Sequence, residues 1–295
     1  MRIRGILSVL LAFISFSAVA QQDALLWKVS KEGFQDSYLF GTYHLLPGSF
    51  AREIKGVKQA FAGADAVVTE LDAGAESAAG LMQYMLLEEG TLDSLLGPER
   101  FDTLSSAIQE RLGMSAMMFN KMKPMGVYIM LASAGEIKEM RKSIESKDQP
   151  MDQWFQTEAA EKKKSTLALE TAEKQADLLF NSSDAQTQAD MLMQYLRLNK
   201  DEAQAENDKI LTCYKKQDLD CLLDYLNNAD MSAIEKDLML KDRNVLWIPM
   251  LKQFMGSQAC FVAVGALHLA GPDGLIALLR AEGYRVTPVK SRKDI

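Results

Sequence analysis

Apolar residues fall in short uninterrupted runs near both ends of the chain and at helical spacing in between. Ala24-Leu25-Leu26-Trp27-Lys28-Val29 and Ser37-Tyr38-Leu39-Phe40-Gly41-Thr42 flank a turn at Gly33 and predict a strand pair. Arg52 to Ala62 places Ile54, Val57, Ala60 and Phe61 on one face, the signature of a helix. A strand over Ala66-Val67-Val68-Thr69-Glu70-Leu71 follows. Residues 77–160 keep helical spacing almost throughout, and Ser165 to Glu170 predicts a short strand feeding a helix that contains Gln175 and Leu178. Residues 184–256 return to helix, and 259–289 close with strand, helix and strand, the last over Arg285 to Val289. The pattern predicts an α/β (α+β) fold. A split central β-sheet is built from N- and C-terminal segments, with helical insertions at about 77–160 and 184–256. There is no tandem repeat or low-complexity tract.

The first twenty residues depart from this pattern. Arg2 and Arg4 precede an apolar stretch from Ile6 to Val19, and Ala18-Val19-Ala20 forms a cleavage site, which together predict a signal peptide over residues 1–20. Residues 21–295 then form the mature domain, expected in a periplasm or secreted. No later run is long and apolar enough to predict a transmembrane segment in the mature chain. Loss of Arg2 and Arg4 takes the net charge from −7 to −9, a poor match for nucleic acid. In an oxidising compartment Cys213 and Cys221 are candidates for a disulfide, provided the helical segment bends or ends between them. Cys260, at the start of the last apolar strand, reads as a buried thiol.

The chain has only two histidines, and both sit in Gly-x-x-His-Leu: Gly41-Thr42-Tyr43-His44-Leu45 and Gly265-Ala266-Leu267-His268-Leu269. Each closes an apolar run and precedes a Pro/Gly turn. Glu70 and Glu170 end two further predicted strands. Strand ends at the carboxyl edge of an open sheet are where such folds hold ligands, so His44, Glu70, Glu170 and His268 are candidates for one site. Two imidazoles and a carboxylate form a three-ligand set for a hydrolytic metal, leaving a position for water, with a second carboxylate to move protons. Each residue also has an ordinary reading: a hydrogen-bonded structural histidine, an exposed strand-end carboxylate, or, for Glu170, a first-turn acid at a helix dipole. Around 235–256, Leu240, Asn244, Trp247, Leu251 and Phe254 share one helix face, with Met239, Arg243, Leu246 and Met250 beside it. An inward Arg243 needs a carboxylate or an anionic ligand. Arg243 and Asn244 therefore either staple the insertion to the sheet or steady an oxyanion or a liganding carboxylate. There is no Gly-x-Ser-x-Gly elbow, His-Glu-x-x-His helix or phosphate-binding Gly-rich loop.

Taken together, Leu39-Phe40-Gly41-Thr42-Tyr43-His44, Val67-Val68-Thr69-Glu70-Leu71, Leu169 to Gln175, Arg243-Asn244 and Val264 to Leu275 resemble the TraB/PrgY/GumN family, which includes the animal Tiki proteins. That resemblance implies a fold similar to erythromycin esterase and a metal and catalytic constellation at His44, His268 and Glu70. It further implies an exported metal-dependent hydrolase of the peptidase kind, with manganese, cobalt or zinc as the divalent metal ion and a peptide or small molecule as substrate. Glu170 is then the candidate general base, and Arg243 and Asn244 the stabilising groups. The alternative is a protein that binds or sequesters a peptide, haem or metal without catalysis. Fold kinship does not choose between them.

Overall fold

A computed structural model describes residues 24–44, 46–71, 82–134, 149–197, 200–229 and 233–289. The expected signal peptide lies outside the described residues. Six strands form one mixed sheet: β1 (Leu26–Ser30), β2 (Ser37–Thr42), β3 (Ala66–Thr69), β4 (Ser165–Ala168), β5 (Cys260–Gly265) and β6 (Arg285–Pro288), in the order β4-β3-β5-β2-β1-β6. The β4, β3, β5 and β2 strands pair in parallel, so their carboxyl ends share one edge. β1 runs antiparallel to both β2 and β6. The split sheet expected from the sequence is the sheet observed: its central pair, β2 and β5, joins segments some 220 residues apart in the chain.

Helices cover the sheet and fill the insertions. In chain order they are α1 (Gly48–Glu53), α2 (Val57–Gly63), α3 (Leu92–Leu112), α4 (Pro124–Ala132), α5 (Met151–Glu161), α6 (Ala172–Asn181), α7 (Ala185–Tyr195), α8 (Lys200–Lys215), α9 (Leu219–Asn228), α10 (Ala233–Lys236), α11 (Asp242–Ser257) and α12 (Leu275–Ala281). The helix expected over 52–62 is broken into α1 and α2. Gly56 between them has φ +92°, and a Cβ there would approach Val289 and Leu26 to 3.0 and 3.1 Å, so the chain turns where only glycine fits. The insertion helices α3, α4 and α7 bury Leu92, Leu104, Ile108, Leu131 and Leu192 in a second apolar core of their own. Among the described residues no helix is long and apolar enough to cross a membrane.

The main core fixes the element that matters most to the sheet edge. Phe155 on α5 packs on Phe40 of β2 (ring centroids 5.4 Å) and on Phe261 of β5 (5.0 Å). Aromatic pairs of this kind add about 0.5–1.5 kcal/mol each beyond their buried area. They hold the first turn of α5 at the carboxyl ends of the two central strands. The bridge between Pro47 and Pro150 and the hydrogen bond from Met151 N to Leu46 O tie the same turn to the segment after His44. Cys213 and Cys221 form a disulfide with Cα atoms 5.6 Å apart, and Cys260 is free and buried. The bend that pairing requires is present: α8 ends at Lys215, Gln217 has φ +59°, and α9 begins at Leu219.

Candidate functional site

All four strand-edge candidates reach the same end of the sheet, each just beyond its strand, Glu70 one residue past β3 and Glu170 two past β4. His44 is two residues past β2, and His268 lies in a 3-10 turn, Ala266–Leu269, that follows β5. The repeated glycines explain why. A Cβ on Gly41 would come within 3.0 Å of the Ala266 backbone and 3.2 Å of Leu269, so this glycine lets the end of β2 approach the turn that carries His268. A Cβ on Gly265 would sit 3.3 Å from Glu70 Oε1, 3.6 Å from His268 Cδ2 and 3.8 Å from His44 Nε2. Three side chains from three strand ends thus surround one small space that the second motif glycine leaves open.

Each imidazole is oriented through its other nitrogen. His44 Nδ1 donates to Asp152 Oδ2 at 2.5 Å, and the other oxygen of Asp152 accepts from the buried Thr42 hydroxyl at 2.7 Å. Asn244 Nδ2 donates to the carbonyls of His268 (3.2 Å) and Asp273 (2.9 Å), which turns its Oδ1 to His268 Nδ1 at 2.8 Å. An amide oxygen only accepts, so His268 carries its proton on Nδ1 and its lone pair on Nε2. Arg243 Nη1 donates to that lone pair at 3.1 Å. The rings also pack together: the Trp247 ring lies 4.4 Å from that of His268, tilted by 40°, and the Arg243 guanidinium lies 4.8 Å over Trp247.

Arg243 is the hub of the cluster. Its Nη2 bridges Glu70 Oε2 at 2.6 Å and Glu170 Oε1 in a close contact, its Nε donates to Glu170 Oε2 at 3.2 Å, and Nη1 also donates to Met239 O at 3.2 Å. All five guanidinium N–H groups are engaged. Glu70 further accepts from Gly265 N at 2.7 Å, and Gln175 Nε2 donates to both carboxylates, at 3.4 Å to Glu70 and 3.2 Å to Glu170. The side chains of Arg243, Glu70, Glu170 and His268 are no more than 13 % exposed, whereas that of His44 is 64 % exposed and faces solvent. Of the stripe beside the α11 seam, Arg243 turns in and Met250 packs against the core. Leu246 is 69 % and Met239 37 % exposed; Met239 lies in a π-helical turn over Asp237–Lys241, which shifts its phase relative to α11.

These contacts set the ionisation of the cluster. Burial disfavours charge on His268, the nearby guanidinium and His44 act in the same direction, and together they outweigh Glu70 and push its pKa down to about 3. His268 is a neutral imidazole at neutral pH. Burial would raise Glu70; with His268 neutral, the Arg243 guanidinium, His44 and the Gly265 N–H hold its carboxyl below the usual carboxylate range. At His44 desolvation works downward, yet the hydrogen bond and charge of Asp152, helped by Glu70, lift the pKa to about 9.

The site residues expected from sequence, His44, Glu70, Glu170, Arg243, Asn244 and His268, are therefore gathered in one cluster. Asp152 and Gln175 join them without having been singled out. Gln175 closes the Leu169 to Gln175 stretch of the family resemblance, and Asp152 has no mark in the sequence beyond being an acid near the start of a helix. The sequence model of the TraB/PrgY/gumN family matches residues 25–288. The chain belongs to this family. The match runs from just before β1 to the end of β6, so every residue of the cluster lies inside it. No curated protein and no solved structure matches the chain.

Proposed function

We propose that this TraB/PrgY/gumN family member is an exported metal-dependent hydrolase of the peptidase class, with His44, His268 and Glu70 as ligands of one divalent ion. The observation that carries the reading is the convergence of His44 Nε2, the His268 ring and Glu70 Oε1 on the space beside Gly265. Histidine ligands characteristically give their second N–H to a carboxylate or carbonyl, as His44 does to Asp152 and His268 does to Asn244. Charge supports the same ion. Three carboxylates, of Glu70, Glu170 and Asp152, face the single guanidinium of Arg243, and a dication that displaces the proton from His44 offsets the difference. A divalent ion would supply Lewis acidity toward water and a scissile carbonyl.

The chain's own groups have distinct tasks in this reading. Asp152 and Asn244 orient the two rings, Gln175 and Arg243 hold Glu70 and Glu170 apart from solvent, and Glu170 is the carboxylate left to carry a proton. The disulfide agrees with an oxidising compartment. A second reading, capture of a peptide or other ligand without turnover, is favoured by one observation: Arg243 has no N–H left for a substrate oxyanion. A peptide-library cleavage screen on the mature chain with added manganese, cobalt or zinc separates the two. Cleavage that is abolished by chelator and by Glu170→Gln supports the hydrolase; stoichiometric metal binding with no cleavage of any peptide leaves the binding protein.

A further inference from the structure

Arg243 and a metal ion compete for the same lone pair. His268 can ligate only through Nε2, since its Nδ1 proton is committed to Asn244 Oδ1. That Nε2 already accepts from Arg243 Nη1 at 3.1 Å. The guanidinium also neutralises Glu70 through Nη2 at 2.6 Å and grips Glu170 through two nitrogens. One side chain thus satisfies the second imidazole and Glu70, two of the three groups an incoming cation would need, and holds Glu170 as well.

We infer that Arg243 is an internal stand-in for the metal, and that seating the ion moves its Nη1 N–H off His268 and makes that donor available to a substrate oxygen. This rests on the metal reading above and goes beyond it. It makes Arg243 a determinant of metal affinity and gives it a substrate contact only in the loaded state. The bidentate grip on Glu170 does not involve Nη1, so it is able to persist while Nη1 is released. Met239 O, at 3.2 Å, keeps the other Nη1 proton and limits how far the group swings. The π-helical turn over Asp237–Lys241 contains Met239 and directly precedes α11, so the turn sets the position of that restraint.

The inference reverses the usual expectation for a buried, multiply bonded residue. A purely structural Arg243 would, on removal, loosen the site and weaken metal binding. A stand-in would, on removal, leave Glu70 and Glu170 without their counter-cation and His268 Nε2 without its donor, and strengthen it. Zinc binding to the mature chain is measured by calorimetry for wild type, Arg243→Met and Arg243→Lys, together with the unfolding midpoint with and without zinc. The 15N shift of His268 Nε2 is followed as well. The expected result is at least tenfold tighter zinc binding by Arg243→Met, with a lowered metal-free midpoint that saturating zinc restores. The wild-type Nε2 resonance should move to a metal-bound position on loading. Arg243→Lys keeps the charge but not the planar fork and should fall between; if Arg243→Met does not fold, this variant carries the test. Zinc binding by a folded variant that is equal to or weaker than wild type overturns the stand-in while leaving the metal site intact. Absence of zinc binding in wild type and both variants overturns the stand-in and the metal reading together.

Discussion

Asn244 offers the sharpest test of how the buried half of the site is held. Its side chain is 1 % exposed and makes three hydrogen bonds, accepting from His268 Nδ1 and donating to the carbonyls of His268 and Asp273. Asn244→Ala leaves one donor and two acceptors buried without partners. Each such orphan costs about 1–3 kcal/mol. Water entering the vacated volume recovers part of this, so the expected loss is about 3–5 kcal/mol. For a chain of this size that corresponds to a fall in Tm of roughly 10 °C. Asn244→Asp should also destabilise: the carboxylate still accepts from Nδ1 but sets a negative charge against two carbonyl oxygens. Urea unfolding of the metal-free protein gives the free energies, and imidazole 15N shifts give the tautomer, with only two histidines to assign. In wild type His268 should be the Nδ1–H form, and in Asn244→Ala a mixture. A loss below about 1 kcal/mol together with an unchanged tautomer would refute the reasoning.

The His44–Asp152 pair should make stability depend on pH. Its folded pKa, about 9, lies above the ordinary value of 6.5, so the contribution is complete below about pH 6.5 and is lost as pH rises through about 9. The gap in unfolding midpoint between metal-free wild type and Asp152→Ala should therefore be larger at pH 6 than at pH 10; a constant gap counts against the pairing. Burial, aided by Asp65, pushes the Cys260 thiol up to about 12, so native protein at pH 8 should resist iodoacetamide until unfolded, and rapid native alkylation would contradict its placement. Reducing the Cys213–Cys221 disulfide should cost about 2–3 kcal/mol, the chain-entropy value for a loop this short, read as the shift in urea midpoint between oxidised and reduced protein. It should also disturb His44, because Tyr214, next to Cys213, donates to Gly41 O at 2.8 Å and packs against Tyr43.

The parts of the site that were legible in the sequence are those local patterning controls. A six-residue apolar run bounded by turn residues gives β2 its observed limits. Four runs of that kind, each ending in an ionisable group, suffice to place His44, Glu70, Glu170 and His268 at one edge once the strands are parallel. Asp152 was not legible because its distance from His44 depends on tertiary packing. Phe155 on the aromatic cluster and the Pro47–Pro150 bridge bring together residues 108 positions apart. Its only local mark is an acid in the first turn of a helix, and many helices carry one. Arg243 was legible as an inward arginine and Asn244, Trp247 and Leu251 as a buried seam, but the exposure of Met239 was not, since the π-helical turn that holds it breaks the periodicity from which a face is read. The break between α1 and α2 follows from a close approach of Val289 and Leu26 to Gly56, contacts made by two strand ends far from it in sequence.

Metal stoichiometry across the ligand variants tests the account most directly. Purified protein, stripped with chelator and titrated with manganese, cobalt or zinc, should take up one divalent ion per chain. His44→Ala and His268→Ala should each abolish that uptake, the double variant should lose nothing further, and Glu70→Gln should weaken binding by removing the charge the ion requires. Folded single variants, judged by circular dichroism, that each retain one tightly bound ion would contradict a site shared by the two Gly-x-x-His motifs.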